Sequence, residues 1–597
     1  MLPHKQIELR LQAAVSEILP DAAADAVLIR PCPDPQFGDY QSNALLALAR
    51  AHGQNPRQLA TEVLAELDAS DICDKVEIAG AGFLNFRLQP SALAGALAAA
   101  ARGEHLFFDK ATQPHTVVID FSSPNVAKPM HVGHIRSTIL GDSLARTLRL
   151  LGHRVITDNH IGDWGTQFGM LLVGWKTQLD RAALDRDPIA ELERLYQHVN
   201  AASEADPAVR EQAKQELVKL QSGDEENRKI WREMLALSER QFNQIYARLG
   251  VKFDQTLGES FYNPRLKSLV EELLAQDIAR ESDGAMAVFF DDLPQLKKHP
   301  ALIRKSDGGF NYTTTDLATL AYRLETWHPD EIIYVTDARQ QLHFQQVFAA
   351  FRKWQERGLS SISSGEAVPN PLRVGTARVP KLAHVWFGSI LGEDGKPFKT
   401  RAGDTVKLAD LLDEAEERAF KIVSQKNPEL PEPQRRNIAR VVGLGAVKYA
   451  DLLPNRQSDY VFSWDKLLAL NGNTAPYLQY AYTRIQSIFR KAETSPAAPK
   501  QSEGGNNELR APEEIGLAKH LLNFGLTLEA VAEEYRPNFL CNYLYGLAAK
   551  FTAFYENCPV LKADAPTRAS RLLLCDLTAR VLKQGLEALG IETIEQM

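Results

Sequence analysis

Cysteine is scarce in this chain. Five occur in 597 residues, Cys32, Cys73, Cys541, Cys558 and Cys575. None forms a C-x-x-C pair and the number is odd. A disulfide scaffold and a cysteine zinc site are therefore not expected, and a reducing compartment, the cytoplasm, is. Long apolar runs are missing too. The most apolar stretch, SALAGALAAAA, is short and alanine-rich, so no membrane span is expected. The first residues, MLPHKQIELRLQAAVSEILP, have the spacing of an amphipathic helix and not of a signal peptide. No internal repeat is visible. Charge of one sign is also lacking: 76 acidic against 68 basic residues give a net charge of -8. A nucleic-acid partner would have to be met by local basic patches, because the global field does not attract it.

What is present is an ordinary globular composition, 44% hydrophobic and 24% charged. The length exceeds what one core supports, so about three to four domains are expected. Residues 1–110 read as a small α/β domain, with Gly80 and Gly82 marking a turn or bulge in KVEIAGAGFLNFRL. From 111 to 405 the rhythm is strand, loop, helix, strand: HTVVIDF, then TILGDSLARTLRLLG, then HRVITDNHIGDWG. That is a βαβ unit and implies a Rossmann-like parallel sheet with right-handed crossovers. A charged, mostly helical insertion is expected over about 175–300. After 405 the pattern is helical to the end, with 406–460 as a connecting segment and 461–597 as an all-α bundle. The stripe Leu544, Leu547, Phe551 and Phe554 belongs to its core. The fold class is thus α/β with an α/β N-terminal and an all-α C-terminal domain.

The stretch SSPNVAKPMHVGHIRST, 122–138, joins the first strand of the βαβ unit to its helix. A helix N-terminus carries unpaired N–H donors and about half a positive charge, and so attracts phosphate. Imidazoles at His131 and His134 share one face there, each able to donate to a phosphate oxygen, more strongly if protonated. Gly133 between them lets a base or a phosphate approach the backbone. By spacing alone this H-x-x-H reads as a nucleotide cradle, an incidental pair or half of a metal site; the last would want a third ligand. Asp316, after three threonines in FNYTTTDLATLAYRL, sits in the first turn of a helix on the same terms. It is equally a helix cap or a carboxylate for a planar cation.

HVGH after a strand resembles the HIGH signature of class I aminoacyl-tRNA synthetases. KPFKT, Lys396 to Thr400, has lysines at the spacing of that class's second signature, Lys-Met-Ser-Lys-Ser, with Pro397, Phe398 and Thr400 departing from it. SSPNVAKPMHVGHIRSTILGD, NHIGDWGTQFGML, YTTTDLA, GKPFKTRAGDTVKL, GAVKYADL and GNTAPYLQYAYTR follow the order found in the arginyl-tRNA synthetase family, along essentially the whole chain.

The resemblance implies ATP-dependent ligation of L-arginine to tRNA(Arg) through an arginyl-adenylate. ATP would come with Mg²⁺, and no resident metal site is implied. His131, Gly133, His134 and Pro124 would hold ATP. Lys128, Lys396 and Lys399 would clamp the leaving pyrophosphate, with Gly395 and Gly403 letting their loop close. Tyr312 and Asp316 match positions that hold the guanidinium. Asp120, Ser123, Asn125 and Gln340 match positions at the α-amino and carboxylate end. Gly162, Asp163, Trp164 and Gln167 form the pocket rim or, for Trp164, core packing. The C-terminal domain would read the anticodon, with Arg484 and Arg490 as candidate contacts, and the N-terminal domain would touch the tRNA elbow. A cytoplasmic monomer is expected.

Overall fold

The structure is a computed structural model describing residues 1–23, 26–363, 379–396, 398, 406–492 and 509–597. It divides into two compact units, one of residues 1–111, 419–449 and 465–597 and one of 112–418 and 450–464.

The second unit is built on a five-stranded parallel sheet. Its strands lie in the order Lys381–His384, Glu331–Tyr334, Thr116–Asp120, Arg154–Asn159 and Gln255–Thr256. The apolar runs of the three central strands are buried on both faces, as parallel strands under helices must be. The chain lays Thr116–Asp120 down in the middle, continues to one side, and returns on the other with Glu331–Tyr334. The winding therefore reverses beside Asp120, and a crevice opens at the carboxyl ends of those two strands. The helix Val132–Leu150 leaves that edge. The helix Tyr312–Trp327 runs back before strand 331–334, so its first residues lie at the same edge.

The stretch expected to be mostly helical to about 300 is helical over Gln167–Gln178, Arg181–Arg186, Pro188–Ala205, Pro207–Ser222, Glu225–Leu249 and Glu259–Ala275 only. Beyond it, Ala279–Ser282, Ala285–Val288 and Ala301–Arg304 form an antiparallel sheet. Asp283 and Gly284 turn its first hairpin with φ of 52° and 76°, the two left-handed residues of a tight Asp-Gly turn.

In the first unit the strands Arg30–Pro31, Tyr40–Ser42, Phe83–Leu88 and Cys73–Ala79 form an antiparallel sheet in that order. Gly80 and Gly82 turn its long hairpin, as read from the sequence, with φ of 54° and 138°. The same unit holds the helices Ala475–Lys491, Pro512–Leu521, Phe524–Glu534, Asn538–Asn557 and Ala565–Ala588. Leu544, Leu547, Phe551 and Phe554 are all buried in it. Lys519 reaches Asp39 at 2.7 Å and Lys5 reaches Glu529 at 3.1 Å, so the small sheet and the helices are linked by ion pairs.

Candidate active site

The chain leaves strand 116–120 through a contorted passage. Ser122, Ser123 and Ala127 have φ of 72°, 45° and 62°, a conformation that costs residues other than glycine about 1 kcal/mol or more each. Side chains from elsewhere hold it there. Ser122 N donates to Ser137 Oγ at 2.8 Å, Ser123 N to Asn159 Oδ1 at 3.1 Å, and Ala127 N to Ser238 Oγ at 3.0 Å. Val126 N donates to the Gly162 carbonyl and Gly162 N to that of Pro124, both at 3.0 Å. A Cβ at Gly162 would collide with Asn125 Oδ1, which explains the glycine of the GDWG stretch.

The passage delivers His131 to the N-cap of helix 132–150. Its Nδ1 accepts from Gly133 N at 3.0 Å, and His134 Nδ1 accepts from His131 N at 3.0 Å. This is a capping box made of imidazoles in place of the usual hydroxyl and carboxylate. It settles the tautomer: each Nδ1 is an acceptor, so each ring keeps its proton on Nε2 and offers one N–H outward. The rings lie 4.0 Å apart between centroids. Burial, then the nearby His131, pushes His134 down to about 3. Burial lowers His131 as well, with Arg339 and Lys128 adding to it. Both are therefore neutral donors near pH 7, without the added strength that protonation would give. Gly133 also has a second reason, since a Cβ there would press on the His131 ring.

Of the candidate lysines, Lys128 lies near enough to His131 to act on its charge. Lys128 is exposed, its Nζ 5.1 Å over the Tyr196 ring. Lys396 is exposed in the turn Gly392–Lys396, with its N–H bonded to Asp394 Oδ1 at 3.0 Å. Lys399 and Gly403 lie outside the described residues. The chain past them is pinned to the cap: Val132 N donates to the Val406 carbonyl and Leu408 N to that of Met130, each at 2.9 Å.

Below the cap the three adjacent strand ends Tyr334, Asp120 and Asp158 stand in register. Arg323, fully buried, comes up from helix 312–327 and places Nη2 at 2.6 Å from Asp120 Oδ2 and 2.8 Å from Asp158 Oδ2. Asp120 Oδ1 accepts from Ser123 Oγ at 3.0 Å. Burial raises Asp158, against the pull of Arg323.

Helix 312–327 is capped by Asn311, whose Oδ1 accepts from Tyr312 N at 3.0 Å. Asp316 is therefore not the cap, and it lies in the second turn where the sequence spacing had placed it in the first. Its Oδ2 is 2.6 Å from His343 Nε2, and the Tyr312 ring, exposed, stands edge-on to His343 at 4.6 Å. Glu259 is half-buried close by. Burial, with the carboxylates of Asp163 and Asp316 opposing His160, pushes it up to about 7. Asp163 is fixed by Ser260 N at 2.8 Å and Ser260 Oγ at 2.5 Å. Trp164 is half-buried and edge-on to Trp231. Gln340 is exposed in the turn after strand 331–334.

The structure thus groups His131, Gly133, His134 and Lys128, groups Asp120 with Ser123, and groups Tyr312 with Asp316. Sequence reasoning missed Glu259, Arg323, Arg339 and His343. Arg339 had a visible signal, its position next to Gln340; the others are read only from contacts between distant segments.

Comparison with known proteins agrees along the whole chain. The family described as tRNA synthetases class I (R), catalytic domain, matches residues 97–364 and 371–464. The arginyl tRNA synthetase N-terminal domain matches 5–88, and the DALR anticodon binding domain 478–597. The arginine–tRNA ligase of Proteus mirabilis is 46% identical over 599 residues, covering 99% of this chain and all of that protein. That of Escherichia coli O139:H28 is 47% identical over 602 residues with the same coverage. The arginyl-tRNA synthetase structures of Plasmodium falciparum and Thermus thermophilus each superpose with a TM-score of 0.81. They are 30% and 27% identical, cover all of this chain, and are themselves 99% and 100% covered. An imidazole-capped helix at the reversal of a parallel sheet, with these matches from end to end, makes the chain a member of the arginyl-tRNA synthetase family.

Proposed function

We propose the following division of labour for the ATP-dependent ligation of arginine to tRNA that this chain performs. ATP lies across the cap of helix 132–150, by Pro124 and Gly133. The two Nε2–H groups of His131 and His134 donate to its phosphates. An arginine carboxylate oxygen attacks the α-phosphorus, the bond to the bridging oxygen breaks, and pyrophosphate leaves toward Lys128, Lys396 and Lys399. A ribose hydroxyl of tRNA(Arg) then attacks the carbonyl carbon and AMP departs. Neutral donors fixed in advance stabilise the charge gathering on the phosphates without reorganising. Mg²⁺ would come with ATP and supply charge neutralisation; the cap itself offers N–H donors and cations rather than oxygen ligands.

Arginine's guanidinium is held by Asp316 and Glu259 with Tyr312 beside them. Asp120, Ser123, Asn125 and Gln340 take its α-amino and carboxylate groups. The Asp316 carboxylate carries this reading, since His343 Nε2 holds it at 2.6 Å with the Tyr312 ring beside that imidazole. Burial, with carboxylates nearby, raises Glu259 to about 7, so a bound cation would favour its charged form. Lysine supplies charge but no planar fork for two acceptors. The segments 1–110 and 461–597 serve as the tRNA elbow and anticodon contacts. In the latter Arg484 stacks over Tyr555 at 4.4 Å and Arg490 donates to the Glu595 carbonyl at 3.0 Å. Among the described residues no helix is long and apolar enough to cross a membrane; a cytoplasmic location and a monomeric state belong to the same reading by family resemblance.

Pyrophosphate exchange into ATP tests the reading. It should require arginine, with no other amino acid replacing it, and should require tRNA(Arg) in the mixture. Exchange driven by a different amino acid would overturn the pocket assignment.

A further inference from the structure

We propose that His343 is a positioning residue for arginine: its Nε2–H fixes the Asp316 carboxylate in the orientation that receives the guanidinium. The inference rests on the reading of Asp316 given above. The imidazole makes one hydrogen bond, from Nε2 to Asp316 Oδ2 at 2.6 Å. Its Nδ1 is buried and has no hydrogen-bond partner among the described residues. For a ring that only fills space this is a poor choice, because leucine or phenylalanine would occupy the position without leaving a polar atom unmatched. The Nε2 bond is what the histidine provides.

The ring itself is held rigidly. Tyr312 stands edge-on to one part of it at 4.6 Å, and Phe344 packs against another at 5.1 Å. Tyr312 and Asp316 are four residues apart on one helix face, while His343 comes from the helix Gln341–Ser363. The contact therefore ties together two helices that flank the reversal of the sheet. A carboxylate on its own rotates about its last torsion with little preference. With Oδ2 engaged on one lone pair, the carboxylate plane is set. Oδ1 and the other lone pair of Oδ2 remain for two parallel N–H bonds.

Three variants decide the matter, measured by arginine-dependent pyrophosphate exchange with tRNA present. His343→Leu should raise the arginine KM about tenfold, the loss of one hydrogen bond to a charged group, and leave kcat and the ATP KM within about twofold. His343→Gln, which retains an N–H donor, should recover most of that loss. In the double variant with Asp316→Asn, His343→Leu should add nearly nothing, because it acts through the carboxylate. An unchanged arginine KM in a folded His343→Leu overturns the proposal, as does an equal loss for ATP, a lowered arginine KM, or full additivity with Asp316→Asn. Should His343→Leu fail to fold, a folded His343→Gln with arginine KM raised as much as expected for donor loss overturns it, and one near the parent value supports it. No arginine-dependent exchange by the unaltered chain would instead sink the pocket reading itself, and this inference with it.

Discussion

At the scale of the residue, the histidines of the HVGH stretch do two jobs with two nitrogens. Nδ1 closes the helix cap and thereby reserves Nε2–H for a ligand. Replacing His134 with alanine removes both. The cap loss costs about 1 kcal/mol, and the circular dichroism spectrum should remain helical while kcat falls. Asp316→Asn is a sharper probe. It removes one charge-assisted pair, so kcat/KM for arginine should drop more than about tenfold with the ATP KM nearly unchanged. Equal loss for both substrates would show that the carboxylate does not face the amino acid. Sequence showed these histidines and Asp316 because each sits in a short local pattern. Glu259 has no such signal. It is an acidic residue at the start of an ordinary helix, and only its burial in the fold, with Asp163 and Asp316 nearby, makes it unusual.

At the scale of the element, the strand–loop–helix order of the parallel sheet was legible because period and turn residues are local properties. The hairpin 279–288 was not, since its strands are four residues long and hidden inside a charged, helix-rich stretch. Long-range ties were equally invisible. Arg136, two residues past His134, is buried in the same helix, its Nε 3.0 Å from Asp451 Oδ1, both 1% exposed. It also donates to the carbonyls of Gly388, at 2.7 Å, and Ser458, at 3.2 Å. Those carbonyls flank the strand pair Ile390–Leu391 and Tyr460–Val461, from which the lysine stretch departs. Asp451→Ala would strand a buried guanidinium. We expect a loss of about 3–5 kcal/mol in unfolding free energy of the unit that holds it, measured by urea titration. A loss below about 1 kcal/mol would mean that the pair is solvated in solution.

For the whole molecule, pH dependence follows from four histidines. Burial pushes His4 and His134 down to about 3, and His384 and His520 down to about 4. A histidine lowered in the folded state binds its proton first when unfolded. Stability is then complete above the unfolded value of about 6.5 and is lost as pH falls toward the folded value. Each group contributes a slope of up to about 1.4 kcal/mol per pH unit in that window. Glu259, raised to about 7, opposes them. Melting temperature should therefore fall steadily from pH 6.5 to 4.5. His4 and His520 belong to one unit and His134 and His384 to the other, so both transitions should move. A melting temperature constant over that range would contradict the burial of these rings.

The guanidinium of Arg323 also constrains the order in which the chain can assemble. A lone cation cannot enter a dry interior at tolerable cost. Its two acceptors, Asp120 and Asp158, come from neighbouring strands, and they are 203 and 165 residues away along the chain. Helix 312–327 can consequently settle only onto a sheet whose first two strands are already side by side. Amide protons of strands 116–120 and 154–159 should then gain protection from exchange during refolding before those of the helix that caps them.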